Sequence, residues 1–291
     1  MKIIVTGANG FIGKSLIKKL IKNNIEVFAI DLKFDDELNN KLVTKIDVSL
    51  DDYDLLLSKL KGSEYDLMYH FAWIGVNGPD KGNAKKQLKN IDMTLNCARL
   101  CKELNIKKLL CSGTVSENNI KSINDENKNY ASMIYGKAKS DAHNLLESYC
   151  KTNNIDFVWM QFSNIYGPSN KTGNLISYTL NQLNNNMEAT FGPALQPYDF
   201  IYVDDLIDII YLLGVNKTNK NFYFIGSGSP MILKDYLLEI GKLLNKEELI
   251  KIGVRNDDGI KYDYKMFDTS DLKEIIKDYK MTDFISGIKK C

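Results

Sequence analysis

A chain of 291 residues with 38 basic and 37 acidic side chains has room for one large domain or two smaller ones. The near balance, with no long run of one sign, excludes nucleic acid or an anionic membrane as the main partner. Two histidines and five scattered cysteines speak for reduced structural thiols and no metal centre, and apolar runs too short for a signal peptide or a membrane span make a soluble cytoplasmic protein the expectation.

The chain opens on a β-branched run, residues 2–6, followed at once by Gly7, Gly10 and Gly13. Apolar residues at helical spacing then predict a helix over 11–21, and a second buried run over 25–30 ends on Asp31. Strand, glycine loop, helix, strand and acid in this order form a dinucleotide-binding unit. Its glycines let backbone approach a pyrophosphate, and the helix N-terminus offers N–H groups to it. Phe11 and Ile12 at the helix head, and Asp31 with its neighbour Leu32, join the three glycines as candidate cofactor contacts. The Asp31 carboxylate is placed for ribose hydroxyls and repels a 2′-phosphate, which favours NAD; Lys33, two residues on, leaves NADP admissible.

Further along, the pattern predicts strands over 42–48 and 65–71, with a helix over 52–60 between them. A glycine-rich loop covers 74–79, a long helix 82–104, and a strand 107–111 that ends at Ser112. Residues 116–134 read as a polar surface loop, 135–150 as a helix and 156–162 as a strand. Beyond Gly167-Pro168 the composition turns to Asn, Thr and Tyr, with helices near 173–184, 205–213, 232–244 and 270–278 and a strand over 221–225.

Tyr135 and Lys139, four residues apart, share one helix face. An ammonium held there favours phenolate over phenol and would bring the tyrosine toward working pH. A proton donor to an alkoxide needs that property.

The spacing G-x-x-G-x-x-G, taken with Tyr135 and Lys139, resembles the short-chain dehydrogenase/reductase superfamily in its extended branch, the NAD-dependent epimerases, dehydratases and reductases of nucleotide sugars. The resemblance implies an α/β fold, a doubly wound parallel sheet with a smaller interleaved C-terminal lobe. Residues 1–167, joined by about 200–225, would form the NAD-binding domain and 168–291 the substrate-binding lobe. It implies that Asp47 and Val48 contact the adenine, and that Phe71, Ala72 and Trp73 lie beside the cofactor, with Trp73 crowding a position usually held by alanine. His70, without a recognisable partner, is read as structural. With Thr114-Val115 aligned to the family's S-x-x-V-Y-G, the resemblance makes Ser112 the catalytic hydroxyl beside Tyr135 and Lys139; Ser116 and Glu117 replace the Tyr and Gly. Asn164 matches a substrate-binding asparagine, while Gln161 and Tyr198 stand where the family carries arginines.

The resemblance further implies hydride transfer to a nucleotide-diphosphate sugar, with Tyr135 moving the proton. Family dehydratases carry acidic residues directly after the catalytic hydroxyl, and Gly113-Thr114 argue against that reaction here. Reduction of a 4-keto sugar nucleotide is the expectation, the stretches HFAWIGVNGP and YDFIYVDDL being most similar to CDP-abequose synthase-like reductases. A 4-epimerase with retained NAD and a non-catalytic NAD sensor are the alternatives. Helices 82–104 and 135–150 would pair two copies into a homodimer.

Overall fold

Strands made of unbroken apolar runs need cover on both faces, and neighbouring residues on them serve opposite faces. The computed structural model, which describes residues 1–118, 130–168, 170, 173–260 and 262–291, has this arrangement. Its strands are β1 (Lys2–Thr6), β2 (Glu26–Asp31), β3 (Val43–Asp47), β4 (Leu67–His70), β5 (Lys108–Thr114), β6 (Asp156–Phe162), β7 (Asn164–Tyr166), β8 (Ala189–Thr190), β9 (Pro197–Tyr198), β10 (Phe200–Tyr202), β11 (Phe222–Ile225), β12 (Met231–Ile232) and β13 (Ile250–Lys251). Seven form one sheet in the order β3-β2-β1-β4-β5-β6-β11, every neighbouring pair parallel. The others make two-stranded pairs, β10 with β7, β12 with β9 and β13 with β8. This is the doubly wound sheet expected.

Two apolar cores follow from the alternation. Ile3 and Val5 of β1 pack with Leu16, Ile17 and Leu20 of α1 (Phe11–Lys22), whereas Ile4 between them belongs to the opposite core. That second core holds Leu56 and Leu60 of α2 (Tyr53–Leu60), Cys97 and Cys101 of α3 (Ala84–Glu103) and Leu146 of α4 (Tyr130–Thr152). The first core runs on without a break into the C-terminal half. It takes in Leu183 of α5 (Leu175–Asn184), Leu206 and Ile210 of α6 (Val203–Val215) and Leu237 and Ile240 of α7 (Leu233–Leu243). Burial of this kind contributes roughly 25 cal/mol per Å² of apolar surface, so these shared faces hold the C-terminal elements to the sheet. Cys97, Cys101, Cys111 and Cys150 are buried free thiols.

Four boundaries differ from expectation. β5 does not stop at Cys111 but pairs with β6 as far as Thr114, opposite Phe162. The expected helix 82–104 is preceded by a 3-10 turn, Gly78–Gly82, and starts afresh where the Asn83 side chain accepts from Lys86 N. α4 begins at Tyr130, so Tyr135 lies in its second turn; residues 119–129 of the expected loop lie outside the described residues. Over 270–278 a 3-10 turn, Ser270–Leu272, runs into α8 (Lys273–Ile276), which ends early because Lys277 turns the chain at φ 45°. The final helix, α9 (Phe284–Ile288), is capped by Asp283. Among the described residues no helix is long and apolar enough to cross a membrane.

Candidate active site

At the carboxyl edge of the sheet lies a cavity of about 720 Å³, which begins at the glycine loop and reaches Tyr198. Gly7, just past β1, takes φ +66°, and a Cβ there would stand 2.6 Å from the Ala72 nitrogen. Gly10 N donates to Gly7 O at 3.1 Å, and a Cβ on Gly13 would fall 2.2 Å from that same oxygen. The loop is therefore folded onto α1 and onto the Phe71-Ala72 turn with no room for side chains. α2, α3 and α5 have their first turns capped by Asp52, Asn83 and Asn174, but the N-terminus of α1 has neither a side-chain cap nor an acidic residue in its first turn. An uncapped helix end behind a glycine loop is a receptor for an anion such as a pyrophosphate. Asp31 lines the cavity at the tip of β2, its carboxylate accepting from Asn9 N at 2.8 Å and Leu32 N at 2.7 Å. Phe11, Ile12, Leu32, Val48, Phe71, Ala72 and Trp73 line the same space. Asp47 does not: it is exposed at the end of β3, and its neighbour Val48 faces the cavity instead.

At the reactive end Tyr135 is 8 % exposed and lines the cavity. The hydroxyl that acts on its phenol, holding the pKa down, belongs to Thr114, which also lines the cavity. Ser112 is buried and does not line it; its carbonyl accepts from Lys139 Nζ at 2.7 Å. The longer β5 accounts for the difference. Ser112 and Thr114 share a strand face, but Thr114 stands two residues, about 6.6 Å, nearer the open edge.

The expected Tyr135–Lys139 relation also differs. Burial pushes the Tyr135 phenol up, only partly offset by the Thr114 hydroxyl, and Glu117 adds to the rise. Lys139 is 3 % exposed, and its ammonium is occupied elsewhere, by the Ser112 carbonyl and by the face of Trp73 at 3.7 Å from the ring centroid. Burial brings Lys139 down to about 7, against the pull of Glu117 and Cys111 in the other direction.

Trp73 is the hub of this end. It lines the cavity, covers Lys139, stands edge-on to Tyr135 at 6.3 Å and donates from Nε1 to Gln87 Oε1 at 2.8 Å. Buried Gln87 and Asn90 of α3 bind the backbone of Gly75, Asp80 and Ile74 and so fix the loop that carries it. The same loop ends in Lys81, whose ammonium lies 5.0 Å from the centroid of the Tyr135 ring and lines the cavity. Behind β5, Glu117 accepts from Thr114 N at 2.7 Å, Trp159 Nε1 at 3.2 Å and Gln161 Nε2 at 3.2 Å. Burial raises its carboxyl.

On the far wall Asn164 and Tyr198 line the cavity, with Asn164 Nδ2 donating to Asp199 O at 3.1 Å. Gln161 is turned away, into the Glu117 network. His70 is buried between Thr6 Oγ1 at 2.7 Å and Thr94 Oγ1 at 3.0 Å, and burial lowers it to about 3, so it is a neutral structural side chain. Sequence reasoning missed Thr114, Lys81 and Glu117 as members of the site. Thr114 and Glu117 fall inside the aligned motif and were in view; Lys81 had no signal, being one lysine among many beside a glycine-rich loop.

The profile of the NAD dependent epimerase/dehydratase family matches residues 3–226. A CDP-abequose synthase of Salmonella typhimurium is 26% identical over 294 residues, 90% of this chain and 94% of its own. A dTDP-D-glucose 4,6-dehydratase of Dictyostelium discoideum is 26% identical over 253 residues, 78% of this chain, and the match spans 58% of that longer protein. Among solved structures, the dTDP-glucose 4,6-dehydratase of Bacillus anthracis in complex with NAD superposes with TM-score 0.82 at 18% identity, covering 100% of this chain and 94% of that one.

Proposed function

Because the chain belongs to the NAD dependent epimerase/dehydratase family, and is thus an NAD-dependent enzyme, we propose that it reduces a 4-keto sugar carried on a nucleoside diphosphate. The observation that carries this reading is the Tyr135 phenol, with the Thr114 hydroxyl, on the wall of the cavity that starts at the glycine loop. The residues present fit the cofactor. The uncapped start of α1 would hold the pyrophosphate and Asp31 the adenosine ribose, with Tyr135 and Lys139 at the nicotinamide end. When bound, NAD supplies the two-electron exchange with a sugar carbon. The chain's own part is the proton: Tyr135 gives it to the oxygen of the ketone as that becomes an alcohol, and Thr114 holds the same oxygen by a hydrogen bond. A phenol kept protonated by its burial is suited to that direction. Asp31 repels a 2′-phosphate and favours NAD over NADP.

Two observations bear on the reaction type. No acid follows the strand-end hydroxyls at Gly113, and Glu117 is bound to Trp159 and Gln161 behind the sheet, so among the described residues no dehydratase-type proton shuttle stands on the cavity wall beside Tyr135. The likeness to CDP-abequose synthase spans nearly both chains. The same residues serve a 4-epimerase if NAD stays bound through the cycle. An apolar groove between α3 and α4, lined by Leu88 at 65 % exposure with Ile91, Met133 and Ile134, supports pairing of two copies along these helices.

Native mass spectrometry of the purified protein, followed by 4-keto nucleotide sugars offered with NADH and NADPH, tests the reading. Turnover that depends on added NADH is the expected outcome. Retained NAD with interconversion of two sugar epimers would replace it by the epimerase reading. NAD binding without turnover of any nucleotide sugar would leave a sensor.

A further inference from the structure

The substrate half of the cavity has an uneven distribution of charge. Among the described residues lining the cavity, Lys81 is the sole lysine or arginine and Asp31 the sole carboxylate. Asp31 sits at the glycine-loop end and is already satisfied by two backbone N–H groups. Lys81 sits beside Tyr135, where the reacting sugar carbon must come. Its acidic neighbour Asp80 is engaged by Lys86 at 2.7 Å. Burial lowers the Lys81 ammonium, and no carboxylate among the described residues offsets it. A half-buried cation without a counter-ion is unfavourable until an anion joins it. Both side chains that occupy the family's arginine positions are neutral. Tyr198 is a phenol raised further by burial, and Gln161 is turned away into the Glu117 network. The turn that carries Lys81 is held from two sides. Gln87 Nε2 donates to Asp80 O at 3.2 Å, and Gly82 packs so closely on Ala131 of α4 that an added Cβ would stand 3.2 Å from that side chain.

We infer that Lys81 is a substrate-recognition residue, the cation that receives an oxyanion of the substrate at the Tyr135 end of the cavity. The assignment rests on the nucleotide-sugar reading above. The oxyanion is either a phosphate of the nucleoside diphosphate or a carboxylate on the sugar. Lys81 thus takes over, from another element, the charge that residues 161 and 198 do not supply.

Isothermal titration of the full chain and of Lys81→Met and Lys81→Arg with NAD, UDP, CDP, dTDP and UDP-glucuronate decides it. Methionine keeps the apolar stem against the Tyr135 ring and removes only the charge. NAD affinity stays within about twofold in all three proteins, which reports an intact cavity. Lys81→Met weakens the nucleoside diphosphates roughly ten- to a hundredfold, as expected for loss of a charged hydrogen bond, and Lys81→Arg restores most of it. A loss confined to UDP-glucuronate supports the assignment with the sugar carboxylate as the anion. Equal affinities of wild type and Lys81→Met for every nucleotide probe overturn it. A wild type that binds NAD but none of the nucleotide probes overturns the functional reading itself, and the assignment with it.

Discussion

The two ends of the cavity are built in different ways. The glycine-loop end is backbone: Gly7, Gly10 and Gly13 press N–H groups and carbonyls together within one strand-helix-strand unit, and Asp31, the one charge there among the described residues lining the cavity, is bound by the N–H groups of Asn9 and Leu32. The Tyr135 end is side chains gathered from β5, α4 and the loop after β4, with a half-buried cation, Lys81, a buried one, Lys139, and an acid, Glu117, all pushed toward neutrality by burial. A backbone-made site depends on local sequence alone. A site made of side chains depends on strand length, helix start and loop packing, each decided by distant residues.

Substitutions can separate the two ends. Tyr135→Phe removes the proton donor and nothing from the glycine loop. Turnover should fall roughly 10²- to 10⁴-fold, with NAD affinity within about twofold by titration. Unchanged turnover would remove Tyr135 from the chemistry. Gly13→Ala should do the reverse. Its Cβ meets the Gly7 carbonyl oxygen at 2.2 Å, so the loop must shift, at about 1–3 kcal/mol for such overpacking. NAD affinity should drop about tenfold or more while the melting temperature falls only a few degrees. A normal NAD affinity would mean that the loop is not the pyrophosphate receptor.

What could be read beforehand follows the same division. The parallel sheet was legible because unbroken apolar runs alternate with amphipathic ones, the positions of Gly7 and Asp31 follow from counting along one unit, and Val48 came from the family resemblance. Asp47 and Val48 part at the strand end: Asp47, the last residue of β3, is exposed, and Val48, the first beyond it, turns inward. The hydroxyl was harder. β5 runs on to Thr114 because β6 offers it a partner as far as Phe162, a pairing between segments some fifty residues apart that periodicity in one window does not contain. Lys81 is placed by Gln87 and Asn90 binding loop carbonyls, and no spacing rule connects those residues to Tyr135. The lowered phenol pKa expected from a lysine one turn away assumed an ammonium with nothing else to bind; the Ser112 carbonyl and the Trp73 ring claim it.

A smaller effect tests which hydroxyl serves the reactive end. Thr114→Val keeps shape and removes the hydroxyl that acts on Tyr135, and kcat should fall about tenfold to a hundredfold with KM little changed. Ser112→Ala, whose hydroxyl lies off the cavity, should stay within about threefold. The opposite ranking would restore Ser112 and imply that β5 slides when substrate binds.

The smallest effect concerns the buried charges, and it is read from stability. Lys139 is held at about 7 when folded against 10.5 ordinarily, so between those values the unfolded chain binds more protons. Its contribution therefore rises with pH across that window and is lost as pH falls through about 7. Glu117 has the opposite sign: its carboxyl is raised on folding, and its contribution is lost as pH rises through the folded value. Glu117→Gln deletes that falling limb. It also removes the charge that pulls Lys139 upward, which moves the Lys139 titration to lower pH. Both changes act in one direction. Denaturant unfolding at a series of pH values just below 7 should give a steeper rise of stability with pH in Glu117→Gln than in wild type, with a difference of at most about 1.4 kcal/mol per pH unit for each proton involved. Lys139→Met should flatten the rise above 7. Identical slopes in wild type and Glu117→Gln would show that Glu117 and Lys139 do not sense each other across β5, and the reactive end would then be as local in its electrostatics as the glycine loop.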